Sequence, residues 1–221
     1  MSVYLTGSDN DQKMRMPVKV KICGITQYED AKAAVSLGVD AIGFNFYPKS
    51  PRAIHPFDAK EIIKRLPPFV SKVGVFVDET AAMIMKIVAA TGIDTVQLHG
   101  KEPPSICDEL GLTLIKAFPV GPDFDLSSLE PYKVNGFLLD TWSESVRGGT
   151  GKTFDWSIAN RAMLKFGTVI LAGGLGPSNI REALEAVHPY AVDLNSGVEI
   201  KPGIKNPHKM RDAVAIVKNW K

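Results

Sequence analysis

TVILAGGLGPSNIREALEAVHPYAVDLNS, residues 168–196, holds the unit on which the fold turns. A short β-branched run, TVILAG, leads through glycines into the amphipathic stretch SNIREALEAV, and a second apolar run, YAVDLNS, follows. Strand, helix and strand in that order make a βαβ unit, whose two strands lie parallel. Upstream the same texture recurs from Val18 onward, with strand-like runs VKVKIC (18–23), DAIGFNF (40–46), KVGVFV (72–77) and DTVQLH (94–99). LTLIKAF (112–118) and VNGFLLD (134–140) complete a set of eight. Between them lie YEDAKAAVSLG, DAKEIIKRL, AAMIMKIVAA and WSIANRAMLKF, and the chain closes on HKMRDAVAIVKNW, all with helical spacing. Eight βα units in about 200 residues suit one closed (βα)8 TIM barrel. An open doubly wound sheet normally has five or six strands, which counts against it.

The march has readable punctuation. Thr26 ahead of Glu29, and Pro177-Ser178 ahead of Glu182, resemble helix starts. Gly38 and Gly92 stand where a left-handed residue closes a helix. The slot after the fifth strand, PVGPDFDLSSLEPY, carries Pro119, Gly121, Pro122 and Pro131 and has room only for a loop or a turn or two. Residues 1–15 are polar and aperiodic and are expected to form a flexible tail, leaving 16–221 as the barrel domain. No repeat is visible beyond the βα period itself.

Composition narrows the function classes. The 221 residues carry 26 basic and 24 acidic side chains, a net charge of +2, and the charges are scattered. A nucleic-acid stripe is therefore absent. No apolar run approaches the roughly 18 residues that span a bilayer, and the first residues lack a signal-peptide pattern, so a membrane partner is not expected. Two cysteines, Cys23 and Cys107, share no metal-site spacing and fit a reducing, cytoplasmic setting.

Barrel strands point alternate side chains inward, and the active site forms from the last inward residues and the loops after them. In the first strand Val18, Val20 and Ile22 should face the helices. Lys21 and Cys23 then stand in the mouth, where the ammonium would favour a thiolate. A small buried core cysteine is the bland reading, and for Cys107 it is the better one. Gln97 and His99 share one face of the fourth strand. Asp140 ends the sixth strand, and Asp193 lies inward on the eighth. A carboxylate in such a place is costly unless paired or working. LAGGLGPSN after strand seven and NSGVE after strand eight set Gly173, Gly174, Ser196 and Gly197 beside helix starts, a phosphate cradle in barrels of this kind. GGTGKT (148–153) imitates a P-loop, but Val146 stands where that motif needs glycine. A glycine-rich lid after strand six is the better reading.

Taken together, KICGIT (21–26), GFNFYPKSPRAI (43–54), GVFVD (74–78), VQLHG (96–100), LLDT followed by GGTG (138–151), FDW (154–156), LAGGLGPSN (171–179) and DLNSGVE (193–199) resemble the phosphoribosylanthranilate isomerase family, ribulose-phosphate-binding barrels. Asn195 stands where many relatives have serine. The resemblance implies an Amadori rearrangement in tryptophan biosynthesis, on a small phosphorylated substrate, without metal or organic cofactor. It implies Cys23 as general base and Asp140 as general acid, with the pKa of Asp140 raised by burial under the lid. Arg52 would hold the anthranilate carboxylate, and the four cradle residues would hold the phosphate. Gln97, His99 and Asp193 would contact the sugar or the catalytic pair. The related step of histidine synthesis uses two aspartates, and Cys23 occupies the first of those places. Indole-3-glycerol-phosphate synthase, a Schiff-base aldolase using Lys21 or Lys116, and a barrel that only binds phosphate ligands are the competing readings. A monomer is expected ahead of a homodimer.

Overall fold

A computed structural model describes residues 17–121, 123–141 and 156–220. Eight parallel strands close into a barrel in sequence order: β1 (Lys19–Ile22), β2 (Ala41–Asn45), β3 (Ser71–Phe76), β4 (Thr95–Leu98), β5 (Thr113–Val120), β6 (Gly136–Thr141), β7 (Val169–Leu171) and β8 (Ala191–Leu194). The ring is sealed where β8 returns to β1, with Lys21 opposite Asp193 and Ile22 opposite Leu194. Seven α-helices are present among the described residues: α1 (Tyr28–Ser36), α2 (Pro56–Ile63), α3 (Ala81–Thr91), α4 (Ser105–Leu110), α5 (Trp156–Phe166), α6 (Ile180–Val187) and α7 (Pro207–Lys218). Among the described residues the slot after β5 holds only the 3-10 turn Leu126–Leu129, in keeping with its prolines. The expected tail (1–15) and the GGTGKT lid lie outside the described residues.

Outward strand residues such as Val20, Ile22, Ile42, Phe44, Leu139 and Val192 are buried against the helices. Each buried branched side chain contributes about 1.5–3 kcal/mol. Facing them, the helices present small residues in part, including Ala31, Ala34, Ala59, Ala162 and Ala183, which lets the helical layer sit close. Inside the barrel, Ile115, Ala117, Leu138, Ile170, Ala172 and Ala191 form an apolar plug on the β5–β8 side. Lys21, Gln97 and Asp193, on β1, β4 and β8, are buried polar residues of the barrel strands.

Three features depart from expectation. Thr26 does not cap α1; Gln27 is the N-cap residue without a side-chain bond, and Thr26 donates instead to the carbonyl of Gly203 at 2.6 Å. Asn179, rather than Ser178, precedes α6. Its side chain turns back to the glycine loop, accepting from Gly176 N–H at 2.9 Å and donating to Gly174 O at 3.1 Å. A short antiparallel hairpin, β9 (Glu199–Lys201) and β10 (Ile204–Lys205), stands between β8 and α7. Its turn passes through Pro202-Gly203, with Gly203 at φ +82°.

The face opposite the mouth carries a period of two strands that the βα alternation hides. Asp40, just ahead of β2, accepts from the N–H of Val20 in β1. Asp94, just ahead of β4, accepts from Lys72 N–H in β3, and Asn135, just ahead of β6, accepts from Leu114 N–H in β5. Each satisfies the donor of the second residue in the preceding strand. Asp40 also takes the ammonium groups of Lys19 at 2.9 Å and Lys218 at 3.0 Å, so it joins β1, β2 and α7. Burial alone would push its carboxyl up, but those donors hold it below its ordinary value.

Candidate active site

Cys23 leaves β1 at the open end of the barrel. Its N–H donates to Leu194 O at 2.9 Å, and Ile25 N–H donates to Gly43 O at 3.0 Å, so the turn is tied to β8 and β2 at once. Gly24 supplies the left-handed conformation between them, at φ +73°. Gly43 makes room for the thiol: a Cβ there would lie 2.8 Å from Cys23 Sγ and 3.1 Å from Lys21 Cε. Lys21 donates to Asp193 Oδ2 at 2.7 Å, with both side chains nearly sealed from solvent. Burial alone would lower the Lys21 pKa, but Asp193, with Cys23, raises it above the ordinary value. Cys23 itself departs from expectation. Burial pushes its thiol up, Asp193 adds to that, and the pull of Lys21 and Lys205 does not reverse it. The neighbouring ammonium does not make a resting thiolate, because burial, with the charge of Asp193, outweighs its pull.

Across the mouth, Gln97 Nε2 lies 2.8 Å from His99 Nδ1. That contact holds the ring by Nδ1 and turns its other nitrogen, Nε2, toward the sixth strand. That nitrogen faces Asp140 Oδ2 at 3.6 Å, a charge-pair distance rather than a hydrogen bond. Asp140 stands near the end of β6, opposite Pro119, with its side chain about one-quarter exposed. The segment expected to cover it lies outside the described residues. Two buried acceptors, Gln97 Oε1 and Asp193 Oδ1, have no hydrogen-bond partner among the described residues.

Arg52 follows β2 in a loop tied by Ser50 Oγ, which accepts from Asn45 Nδ2 and from Arg52 N–H, both at 3.1 Å. Its aliphatic stem lies over Gly24, where a Cβ would come within 2.8 Å of Arg52 Cδ. Glu199 grips it, taking Nε at 3.0 and 3.1 Å and Nη2 at 2.7 Å. The sequence reading passed over Glu199 and its second cation, Lys205, which donates to Glu199 at 2.8 Å and to Asn195 Oδ1 at 2.9 Å. The signal was available in EIKPGIK (199–205), two short runs about a Pro-Gly turn.

The two glycine loops meet backbone to backbone. A Cβ on Gly197 would fall 2.1 Å from Leu175 O, and one on Gly176 would fall 2.8 Å from Gly197 O. Gly173 and Gly174 both adopt left-handed conformations, at φ +92° and +64°. Ser196 and Gly197 open the 3-10 turn Ser196–Val198, beside the loop that leads into α6. The loops that carry Gly173, Gly174, Ser196 and Gly197 are therefore in contact.

Other candidates lie elsewhere. Cys107 is buried in α4. Lys116 is buried and paired with Glu102 at 2.9 Å, while Glu102 also accepts from the N–H groups of Asp78 and Gly100. That network pins the loop after β4, just beyond His99. Lys21 and Lys116 are both buried in ion pairs, with Asp193 and Glu102, so neither offers the unpaired amine that Schiff-base chemistry needs. Among the described residues no three His, Cys, Asp or Glu side chains cluster as a metal site would require.

Comparison with known proteins agrees over almost the whole chain. The sequence model of one family, N-(5'phosphoribosyl)anthranilate (PRA) isomerase, matches residues 20–216. An N-(5'-phosphoribosyl)anthranilate isomerase of Geobacter sulfurreducens is 49% identical over 206 residues, covering 92% of this chain and 100% of its own. The crystal structure of phosphoribosyl anthranilate isomerase from Thermotoga maritima superposes with a TM-score of 0.87 at 43% identity, over 92% of this chain and 100% of that one. A structure of such an isomerase in complex with reduced 1-(o-carboxyphenylamino)-1-deoxyribulose 5-phosphate gives a TM-score of 0.83 at 41% identity, with the same coverage.

Proposed function

The chain belongs to the N-(5'-phosphoribosyl)anthranilate isomerase family, and on that premise we propose which of its residues carry the reaction. The reaction is the Amadori rearrangement of N-(5'-phosphoribosyl)anthranilate to 1-(2-carboxyphenylamino)-1-deoxyribulose 5-phosphate, an aldose-to-ketose isomerisation in tryptophan biosynthesis. Asp140 is the general acid. It protonates the furanose ring oxygen as the C1'–O bond breaks, and the substrate's nitrogen supplies the electron pair that makes the Schiff base. Cys23, as thiolate, is the general base and takes the proton from C2', giving an enolamine. That intermediate gains a proton at C1', loses one from the 2'-hydroxyl and becomes the ketone, so protons balance over the cycle. Each group is expected to contribute about 10²–10⁴-fold in rate.

The observation that carries this reading is the mouth itself, where Cys23 just after β1, His99 just after β4 and Asp140 near the end of β6 share one end of the barrel. For the step to run, Asp140 must bring a proton and Cys23 must have given up its own. His99, held by Gln97, orients Asp140. Asp193 holds Lys21, and its unpartnered oxygen, like that of Gln97, would be satisfied by a donor from the sugar. Arg52 takes the anthranilate carboxylate, for which a planar guanidinium is matched. Amides around Gly173, Gly174, Ser196 and Gly197 take the phosphate, at the starts of α6 and of the 3-10 turn.

The proposed catalytic domain is a single barrel over residues 16–221. The free cysteines suit the cytoplasm, and among the described residues no helix is long and apolar enough to cross a membrane. The test is turnover of phosphoribosylanthranilate generated in situ, followed by loss of its fluorescence. A folded protein that leaves the signal unchanged would sink the reading.

A further inference from the structure

Arginine carries two edges that match a carboxylate, one made by Nε and Nη2 and one made by Nη1 and Nη2. In this protein the first edge is taken: Glu199 spans it with three contacts between 2.7 and 3.1 Å. We propose that Glu199 is a positioning residue for the reaction, clamping Arg52 by its Nε–Nη2 edge so that the Nη1–Nη2 edge is presented to the substrate's aromatic carboxylate. The proposal rests on the assignment of Arg52 made above.

Three observations support it. Glu199 is itself immobilised, since Lys205 Nζ and Gly203 N–H also donate to it, at 2.8 and 3.1 Å. Those donors belong to the β9–β10 hairpin, and the hairpin is fastened to α1 through Lys205 N–H donating to Asp30 Oδ2 at 2.8 Å. The clamp is thus rooted in a packed helix rather than in a loose loop. Charge gives the second argument. Arg52 and Lys205 bring two cations to one buried carboxylate, leaving one positive charge over, which an incoming carboxylate neutralises. Although burial pushes Glu199 up, its hydrogen bonds from Arg52 and Lys205 hold it below the ordinary carboxyl value, so the clamp stays ionised at working pH. Rotamer entropy gives the third. A free arginine gives up the rotamer freedom of a long side chain when it binds. Holding it in place beforehand removes that cost from binding.

A residue acting only through Arg52 should alter affinity for the carboxylate and leave proton transfer between Cys23, Asp140 and the sugar alone. The test is a double-mutant cycle on phosphoribosylanthranilate turnover, with wild type, Glu199→Gln, Arg52→Ala and the double variant, each checked by thermal melting. Glu199→Gln should raise KM about tenfold, the loss of one charge-assisted interaction, and hold kcat within about threefold. In the Arg52→Ala background the same change should do nothing further to KM. Effects that add in the double variant, or a fall in kcat at unchanged KM, would overturn the proposal. Should Glu199→Gln fail to fold, Glu199→Asp keeps the charge beside Lys205 but draws it back from Arg52. It should raise KM similarly, and an unchanged KM would overturn the clamp. Wild-type turnover with KM unmoved in Arg52→Ala would defeat the Arg52 assignment and the clamp together, while absent wild-type turnover would defeat the functional reading itself.

Discussion

Cys23 shows how one residue is governed by neighbours far away in sequence. Its place in the mouth follows from strand parity, and Gly43 leaves the room it occupies. The sign of its pKa shift does not follow from parity: burial raises the thiol first, and Asp193, 172 residues from Lys21, both binds the ammonium and adds its own charge near the thiol. That pairing exists only once β8 has closed on β1. Thiol plus carboxylate and thiolate plus carboxylic acid hold the same number of protons, so on the proposed assignment of Cys23 and Asp140 the enzyme would be active while the two retain one. With the thiol raised, the proton is lost only above the ordinary cysteine value of about 8.5. The expected profile of kcat/KM therefore holds through neutral pH and falls beyond about pH 8.5. A falling limb already present near pH 7 would show a thiol of lowered pKa and contradict this account.

At the scale of elements, the eight strands and most helices were legible because apolar periodicity is a local property. The missing helix after β5 was legible for the same reason, through its prolines. The caps were less so: Thr26 has the right spacing for α1 but bonds to Gly203 on a hairpin that the reading did not include. The paired-strand contacts of Asp40, Asp94 and Asn135 were also hidden, since an Asx ahead of a strand resembles any turn residue until its partner strand is known. Asp40 gives a direct test. Its carboxyl is held below the ordinary value of about 3.9, so its contribution is present above that pH and is lost as pH falls through the lower folded value. Asp40→Asn should cost about 1–2 kcal/mol in urea denaturation at pH 7. The gap from wild type should shrink towards zero in acid; a gap independent of pH would remove the carboxylate from the explanation.

For the whole molecule, closure of the barrel and assembly of the site are one event. The β8–β1 seam carries Lys21 and Asp193, and the same seam fixes Cys23 through Leu194. Breaking a buried pair by removing one partner typically costs about 3–5 kcal/mol, whereas replacing both by apolar residues is far milder. Lys21→Met should accordingly destabilise the protein by about that amount, and Lys21→Met with Asp193→Leu should recover much of the stability without recovering turnover. Recovery of both would separate the seam from the site. The most direct test of the central claim compares Cys23→Ala and Asp140→Asn with wild type in turnover and in affinity for the reduced deoxyribulose phosphate product. We expect each variant to lose at least about 10²-fold in kcat while its Kd stays within about threefold of wild type. If either folded variant keeps near wild-type turnover, that residue is not the acid or base, and the assignment of the pair is wrong.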